Sequence, residues 1–357
     1  MQTKNHLRHQ LPVLLLGTLL LLVFLLSACG TPAFSQSAPV FESHITRQDA
    51  AQLQSFRHWI SVMQQSGGNV TLYQKQYNAD RQALATARTD AAYKAAEKTL
   101  KAHIDAIQIP ALQAEITHLR QQLQQKVASW GEQHKYYDSY DGVTYTLGYE
   151  YGPTGADGLV EDDLNAAQTV ADYQAIVDSL NGYLANFDTM TINASDKTPY
   201  DKMHKTDLQL LAHYHVTGKK VVVVSLQEQA VRIYENGKLV QAFLATTGRP
   251  THPSLPGTWQ VEVMQSPTVF KSGAPIGSED YYPDTKINYA MQYHSSGYFL
   301  HDSWWRANYG PGTNFPHQDA TGNESASTGS HGCVNLSTED ASWLYNFVEV
   351  GTSVIVY

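Results

Sequence analysis

The spacing of apolar residues divides this chain into a helical part and a strand-rich part, with the change near residue 216. Between residues 46 and 214, apolar side chains recur every three or four positions, which predicts helices that pack by one face. The clearest run is Leu112, Ile116, Leu119, Leu123, Val127 and Trp130. Pro110 precedes it and is typical of the first turn of a helix. Residues 135–157, crowded with Tyr and Gly, predict a loop or a small hairpin.

From residue 219 the pattern becomes that of strands. Residues 220–226 centre on four consecutive valines and predict a buried strand, and residues 229–234 alternate. Asn236-Gly237 then favours a hairpin turn before the run at 239–244. Residues 298–301 predict a short strand ending on His301, residues 338–348 a helix, and residues 354–357 a closing strand. The predicted fold class is multidomain α+β, with a helical bundle region followed by a mostly-β domain.

The N-terminus has a third pattern, in which a basic start precedes an apolar run from residue 11 to residue 26. This layout is typical of a secretory signal. Leu26-Ser27-Ala28-Cys29 resembles a bacterial lipobox, whose cysteine is lipidated; the alternative is an uncleaved anchor helix. Both interpretations place the rest of the chain outside the cytoplasmic membrane and tethered to its outer face. The predicted organisation is a signal and lipidated Cys29 in 1–29, a flexible tether in 30–45, a helical region of unknown role in 46–214 and the mostly-β domain in 216–357.

Composition narrows the function classes. A formal net charge of −9 and a pI near 5.9 argue against nucleic-acid binding, which requires a basic face. Cys29 and Cys333 are the two cysteines, and lipidation of Cys29 would leave Cys333 without a disulfide partner. A free thiol in an exported protein is at risk of oxidation. The sequence around Cys333 therefore favours a chemical role over that of a buried, inert cysteine.

That sequence is Ser330-His331-Gly332-Cys333-Val334-Asn335. Breaking an amide at neutral pH needs a nucleophile, a proton acceptor and donors for the developing oxyanion. Cys333 is the candidate nucleophile, and His301 at a strand end is the candidate base. Gly332 allows a tight turn before Cys333. The backbone N–H groups of residues 331–333 are candidate oxyanion donors.

Residues 219–357 resemble the L,D-transpeptidase (YkuD-type) catalytic domain. The resemblance rests on the opening hairpin, on Thr247-Gly248, on Pro256-Gly257-Thr258, and on His301 with the motif around Cys333. It implies that Cys333 is the nucleophile and His301 the base, with the His301 ring oriented by the backbone carbonyl of Asp302. It also implies that no metal or organic cofactor is required.

The activity implied by the resemblance is peptidoglycan L,D-transpeptidation. Cys333 would attack the carbonyl that precedes the terminal D-Ala of a stem tetrapeptide, and an amine acceptor would then resolve the thioester into a 3-3 cross-link. The expected partners are stem peptides and, through the lipid, the membrane; we expect a monomer. Hydrolysis by the same residues, as in an L,D-carboxypeptidase, stays open. A non-catalytic wall-binding lipoprotein is a further alternative.

The remaining site residues allow more than one interpretation. His331 is a candidate for contact with the substrate or the base, or for structural support. Ser330 and Asn335 are expected to brace the loop or to contact substrate. Trp304 and Arg306 are expected to line the donor groove, with Arg306 facing a carboxylate, or else to pack. A zinc site built from His301, His331 and Cys333 is disfavoured by the spacing of these residues.

The sequence departs from the family pattern in one respect. His301 and Cys333 are farther apart than is usual in the family, and the extra residues, around 309–325, are rich in Gly, Asn and Ser. They predict a loop insertion between two fixed points. The insertion also contains His317, a rival for the role of base.

Overall fold

The structure, a computed structural model, describes residues 45–357. The apolar run at 11–26, Cys29 and nearly all of the predicted tether lie outside these residues. The described helices are Arg47–Gln65 (α1), Thr71–Thr86 (α2), Asp90–Gln133 (α3), Ala156–Ala166 (α4), Val170–Asn193 (α5), Lys205–His213 (α6) and Thr338–Phe347 (α7). None of them combines the length and the apolar character needed to cross a bilayer.

The described strands fall on both sides of residue 216. They are Lys135–Tyr137 (β1), Thr144–Thr146 (β2), Lys220–Ser225 (β3), Ala230–Glu235 (β4), Lys238–Leu244 (β5), Gly257–Gln260 (β6), Val263–Gln265 (β7), Thr268–Phe270 (β8), Thr285–Ile287 (β9), Ala290–His294 (β10), Tyr298–Asp302 (β11), Val334–Leu336 (β12) and Ser353–Val356 (β13). A helical region followed by a β-rich region confirms the predicted fold class.

The prediction that a helix begins at Pro110 is wrong. Pro110 lies inside α3, which runs unbroken for 44 residues. A proline lacks the N–H that would bond to the carbonyl four residues earlier, so an interior proline normally kinks or ends a helix. Here Ile107, Ala111 and Leu112 around it are all buried. Packing on both sides of the proline therefore outweighs the lost hydrogen bond.

The helical region contains two cores along α3. One core joins α1 and α2 to the first half of α3, through residues such as Phe56, Leu84 and Leu100. The second joins the later half of α3 to α4, α5 and α6, and it continues into the β-rich region. The helices and the first sheet therefore share buried side chains.

The β-rich region has two main sheets. One has strand order β5-β4-β3-β13-β6, and the other β12-β11-β10-β7. Val221 and Val223 of β3 belong to the core shared with the helices, whereas Val222 and Val224 belong to the core between the sheets and α7. Successive side chains of a strand point to opposite faces. The four consecutive valines of β3 thus reflect a strand that is covered on both faces.

The hairpin between β4 and β5 follows its turn chemistry. Asn236 and Gly237 both have positive φ, 53° and 72°. These values suit a type I′ turn, which requires positive φ at both central positions. The Asn-Gly dipeptide therefore closes this hairpin as the sequence predicted.

A buried polar cluster joins α6 to the first sheet. Arg232 and Asp207 are both fully buried, and the Arg232 guanidinium donates to both Asp207 carboxylate oxygens at 2.5 and 3.1 Å. The hydroxyls of Tyr234 and Tyr357 each donate to the same carboxylate at 2.6 Å. Because a buried charge is stable only when it is paired and hydrogen-bonded, the four side chains depend on one another.

Candidate active site

The scaffold of the site is the parallel pairing of β11 with β12. Its register places Leu300 opposite Val334 and His301 opposite Asn335. Cys333 is the residue immediately before β12. The pairing therefore brings the end of one strand, with His301, next to the loop that carries Cys333, although the two residues are far apart in sequence.

His301 is held by both ring nitrogens. Its Nδ1 lies 2.8 Å from the carbonyl oxygen of Asp302, so Nδ1 carries the proton and donates. Nε2 then accepts from Nδ2 of Asn335 at 3.0 Å. Burial lowers the pKa of His301 to about 4, although the bond to Asp302 opposes this effect and nearby Arg306 adds to it. The ring is therefore neutral at pH 7, with its basic lone pair on Nε2.

The contact predicted between His301 and the Asp302 carbonyl is thus present. The Asp302 carboxylate is itself fixed by the N–H groups of Asn288 and Tyr289, at 2.7 and 2.8 Å, and by the Asn288 amide at 2.8 Å. These three donors hold the end of β11 in place. The carbonyl oxygen of Asp302 consequently stays in position to accept from Nδ1 of His301.

Cys333 is half-buried, and its thiol lies 3.8 Å from the carbonyl oxygen of Gly297. Burial raises the pKa of the Cys333 thiol to about 11, while the backbone of Phe299 opposes the shift. The thiol is therefore protonated at neutral pH. In this geometry it donates towards Gly297 rather than towards His301.

The loop before Cys333 is braced from within by Ser330. The Ser330 hydroxyl donates to the carbonyl of Cys333 at 2.5 Å and accepts from the N–H of Gly332 at 3.0 Å. Gly332 has a φ of +107°, and a Cβ there would lie 2.6 Å from the Tyr298 ring. Glycine is therefore required at this position both by its backbone conformation and by the space available.

The N–H of Gly332, one of the predicted oxyanion donors, is bonded to the Ser330 hydroxyl in this geometry, so its role as an oxyanion donor stays a prediction. The carbonyl of Gly332 accepts from the Ser254 hydroxyl at 2.7 Å. The N–H groups of His331 and Cys333 remain candidate donors, and that of Cys333 belongs to the same peptide unit as this carbonyl.

His331 lies at the exposed mouth of the site. Its Nε2 is 3.2 Å from the carbonyl oxygen of Glu279, and its ring centroid is 5.2 Å from that of His252 and 5.5 Å from that of Tyr282. Partial burial and the charge on Arg249 lower the pKa of His331. Its contact with substrate stays a prediction.

The contacts of Arg306 favour packing, one of the two roles predicted for it. This side chain is only 6 % exposed, and it donates to the Asn335 side-chain oxygen at 3.1 Å and to the carbonyl of Ala326 at 2.8 Å. Its side chain therefore lies in the protein interior, where its donors bind other groups of the protein. Because Arg306 donates to the Asn335 side-chain oxygen, the NH2 group of Asn335 is the one that faces Nε2 of His301.

Asn335 and Ser330 are both buried, and their contacts favour bracing, one of the two roles predicted for them. Trp304 is 59 % exposed, with its indole N–H donating to the carbonyl of Lys286 at 2.9 Å. Its ring is accessible beside the site, so contact with substrate stays a prediction for Trp304.

His317, the predicted rival base, contacts other residues of the insertion, and its role stays a prediction. Its Nδ1 is 2.9 Å from the carbonyl oxygen of Phe315, and its Nε2 is buried without a hydrogen-bond partner among the described residues. Over residues 45–357, no group of three or more His, Cys, Asp or Glu side chains is arranged to hold a metal ion.

Two residues that support the site, Ser254 and Asn288, were not predicted from the sequence. Ser254 binds the loop through Gly332, and Asn288 binds the Asp302 carboxylate. Both are ordinary polar residues in loops, and only the folded structure brings them to the site. Ser254 directly precedes Leu255-Pro256-Gly257, so its place beside a family mark was the one available signal.

Comparison with known proteins agrees with the resemblance seen in the sequence. Residues 219–356 match the YkuD family model, described as the L,D-transpeptidase catalytic domain. L,D-transpeptidase 1 of Mycobacterium tuberculosis is 27% identical over 153 residues, which cover 42% of this chain and 55% of that protein. Probable L,D-transpeptidase 3 of the same organism is 33% identical over 115 residues, covering 31% of this chain and 37% of that protein.

The chain is also similar to solved structures of L,D-transpeptidases. A crystal structure of an Enterococcus faecium L,D-transpeptidase is similar at 27% identity and a TM-score of 0.32, covering 39% of this chain and 50% of that one. A crystal structure of L,D-transpeptidase 3 from Mycobacterium tuberculosis is similar at 25% identity and a TM-score of 0.32, covering 39% and 60%. The chain thus spans about half the length, or less, of the curated relatives that it matches. The family match and the curated relatives concern the β-rich region: residues 219–356 of this chain match the YkuD family of L,D-transpeptidase catalytic domains.

Proposed function

We propose that this protein is a peptidoglycan L,D-transpeptidase that uses Cys333 as its nucleophile and His301 as its base. The observation that supports this most directly is the pairing of β11 with β12, which places a neutral, oriented histidine next to the cysteine loop. The family of residues 219–356 supports the substrate class.

The first half-reaction is acylation. The Cys333 sulfur attacks the carbonyl carbon preceding the terminal D-Ala of a stem tetrapeptide, and its proton passes to Nε2 of His301. The N–H of Cys333 donates to the developing oxyanion. The C–N bond then breaks, His301 returns the proton to the leaving amine, and a thioester joins the stem to Cys333.

The second half-reaction is transfer. A side-chain amine of a neighbouring stem attacks the thioester and loses a proton to His301. The C–S bond breaks, the thiol takes back the proton, and a 3-3 cross-link is released. Because Nε2 accepts from Asn335 in the resting geometry, the Asn335 amide must yield this hydrogen bond when the substrate is seated.

The protonation states favour general-base catalysis over a preformed ion pair. Burial acts in opposite directions on the two groups, raising the pKa of Cys333 to about 11 and lowering that of His301 to about 4. Each shift favours the neutral form of its group. Proton transfer is therefore expected to accompany attack on the carbonyl rather than to precede it.

The test is mass spectrometry of the products formed from a disaccharide-tetrapeptide by the purified full chain in detergent. Transfer predicts dimers joined through their third residues and an acyl adduct on the peptide that contains Cys333. Cys333→Ala, as the matched control, should form neither. Tripeptides alone would mean that the enzyme is an L,D-carboxypeptidase, and the absence of any product or adduct would refute a catalytic function.

We also propose that the protein is exported and held at the outer face of the cytoplasmic membrane by a lipid on Cys29. The apolar run and the lipobox-like sequence support this. Intact mass analysis of the membrane fraction should show cleavage before Cys29 and an added diacylglycerol. Cys29→Ser should keep the precursor mass, and an unmodified wild-type mass would refute the anchor.

A further inference from the structure

The insertion between His301 and Cys333 is packed against the helical region. Phe315, at the centre of the insertion, is only 3 % exposed. Three tyrosines from the hairpin β1–β2 and the turn after it surround its ring. Tyr136 stacks on it at 4.5 Å between centroids, Tyr145 lies at 4.9 Å, and Tyr149 meets it edge-on at 6.0 Å.

The Tyr149 hydroxyl extends this contact by hydrogen bonds in two directions. It donates to the carbonyl oxygen of Gly248 at 2.8 Å and accepts from the side-chain amide of Asn314 at 2.8 Å. Tyr149 thus links the insertion to the segment at 247–249. Both partners lie in the β-rich region, about 100 and 165 residues along the chain from Tyr149.

The segment at 247–249 is paired directly with the catalytic loop. The N–H of Ser330 donates to the carbonyl of Thr247 at 2.9 Å, and the N–H of Arg249 donates to the carbonyl of Ser330 at 3.1 Å. The N–H of Gly248 donates to the Ser254 hydroxyl at 3.0 Å, and that hydroxyl donates to the carbonyl of Gly332 at 2.7 Å. A displacement of Gly248 would therefore be transmitted to the peptide unit between Gly332 and Cys333.

That peptide unit contains the candidate oxyanion donor. A peptide bond is planar and almost always trans, so its C=O and N–H point in opposite directions. Fixing the Gly332 carbonyl on Ser254 therefore fixes the direction of the Cys333 N–H. Donors aimed at developing charge lose most of their effect when they are misdirected.

We propose that Tyr149 is a positioning residue for catalysis, which makes the helical region an integral part of the active site. Its hydroxyl holds Gly248, Gly248 and Ser254 hold the Gly332 carbonyl, and the Cys333 N–H is thereby aimed at the oxyanion. This role rests on the proposed function. The hairpin β1–β2 and the insertion together hold the Tyr149 hydroxyl in place.

The test compares Tyr149→Phe with Tyr145→Phe in the full chain. Both variants keep an aromatic ring against Phe315 and lose one hydroxyl. The Tyr145 hydroxyl, however, donates at 2.6 Å to Asp141, within the hairpin itself. Two rates are measured on the peptide that contains Cys333. Acylation by a carbapenem requires the oxyanion donor, whereas alkylation by iodoacetamide requires only an accessible thiol.

Tyr149→Phe should slow the acylation step about tenfold, with unchanged carbapenem affinity and unchanged alkylation, because the donor is misdirected rather than removed. Tyr145→Phe should match the wild type in both rates. Ser254→Ala, which interrupts the same chain of hydrogen bonds inside the β-rich region, should reproduce the selective loss.

Equal acylation by Tyr149→Phe and wild type would refute the positioning role. A parallel fall of acylation, alkylation and melting temperature would refute it too, because that pattern indicates a loss of folding alone. If the wild type itself forms no acyl adduct, the proposed function fails, and this role fails with it.

Discussion

The protonation state of Cys333 gives the sharpest prediction, because the structure points to a neutral thiol where a cysteine enzyme is often expected to hold a thiolate. Burial raises the pKa of Cys333 to about 11, against 9.0 for an unperturbed cysteine. At pH 7 a thiol with a pKa of about 11 is ionised in roughly one molecule in ten thousand, about a hundredfold less often than the ordinary thiol. Since only the thiolate is alkylated, iodoacetamide should modify Cys333 about a hundredfold more slowly than an ordinary thiol.

The pH dependence separates this state from an ion pair. We expect alkylation to rise about tenfold per pH unit up to a pH near 11. Acylation by a carbapenem should instead be nearly level between about pH 5 and 10, because neutral His301 and neutral Cys333 are the reacting forms. It should fall in acid as His301 is protonated through its pKa of about 4.

The assay follows both reactions by mass spectrometry of the Cys333 peptide at a series of pH values. His301→Ala is the matched variant, because it removes the base and leaves the thiol. It should abolish acylation and leave alkylation at neutral pH nearly unchanged. An alkylation rate in the wild type that is already level near pH 7, and that falls in His301→Ala, would show a thiolate–imidazolium pair and refute the reasoning.

Three further predictions concern the supports of the site. Asp207→Asn leaves Glu228, 2.7 Å from the Arg232 guanidinium, as the remaining carboxylate partner of that buried charge, so it should lower the free energy of unfolding in urea by about 3 kcal/mol, and a change below about 1 kcal/mol would contradict a tightly coupled cluster. Gly332→Ala should abolish acylation because its Cβ meets the Tyr298 ring, whereas Gly142→Ala, whose φ is also positive (+75°) and whose Cβ would have no atom within 4 Å, should leave acylation intact. Arg306→Met should lower acylation at saturating carbapenem without raising the concentration needed for half-saturation, because Arg306 orients Asn335; a weaker affinity instead would indicate direct substrate contact.

Much of the local structure could be predicted from local patterns. The valine run of β3, the Asn236-Gly237 turn and the strand that carries His301 each follow from the residues that form them. The α7 helix begins after Ser337, whose side chain caps it by accepting from the N–H of Asp340. Pro110 is the instructive exception, because its local preference for a helix start lost to packing on both sides of α3.

The amino-acid sequence alone shows which reactive groups the protein contains. It supplied one thiol in a Ser-His-Gly-Cys context, a histidine at a strand end, and a glycine where the backbone must turn. The tertiary structure decided how these groups are charged and aimed, because desolvation, which sets the pKa values of Cys333 and His301, depends on everything that surrounds them. It also decided that Arg306 faces inward and that Tyr149 contacts Gly248, since a hydrogen bond between residues so distant in sequence exists only after the chain has folded.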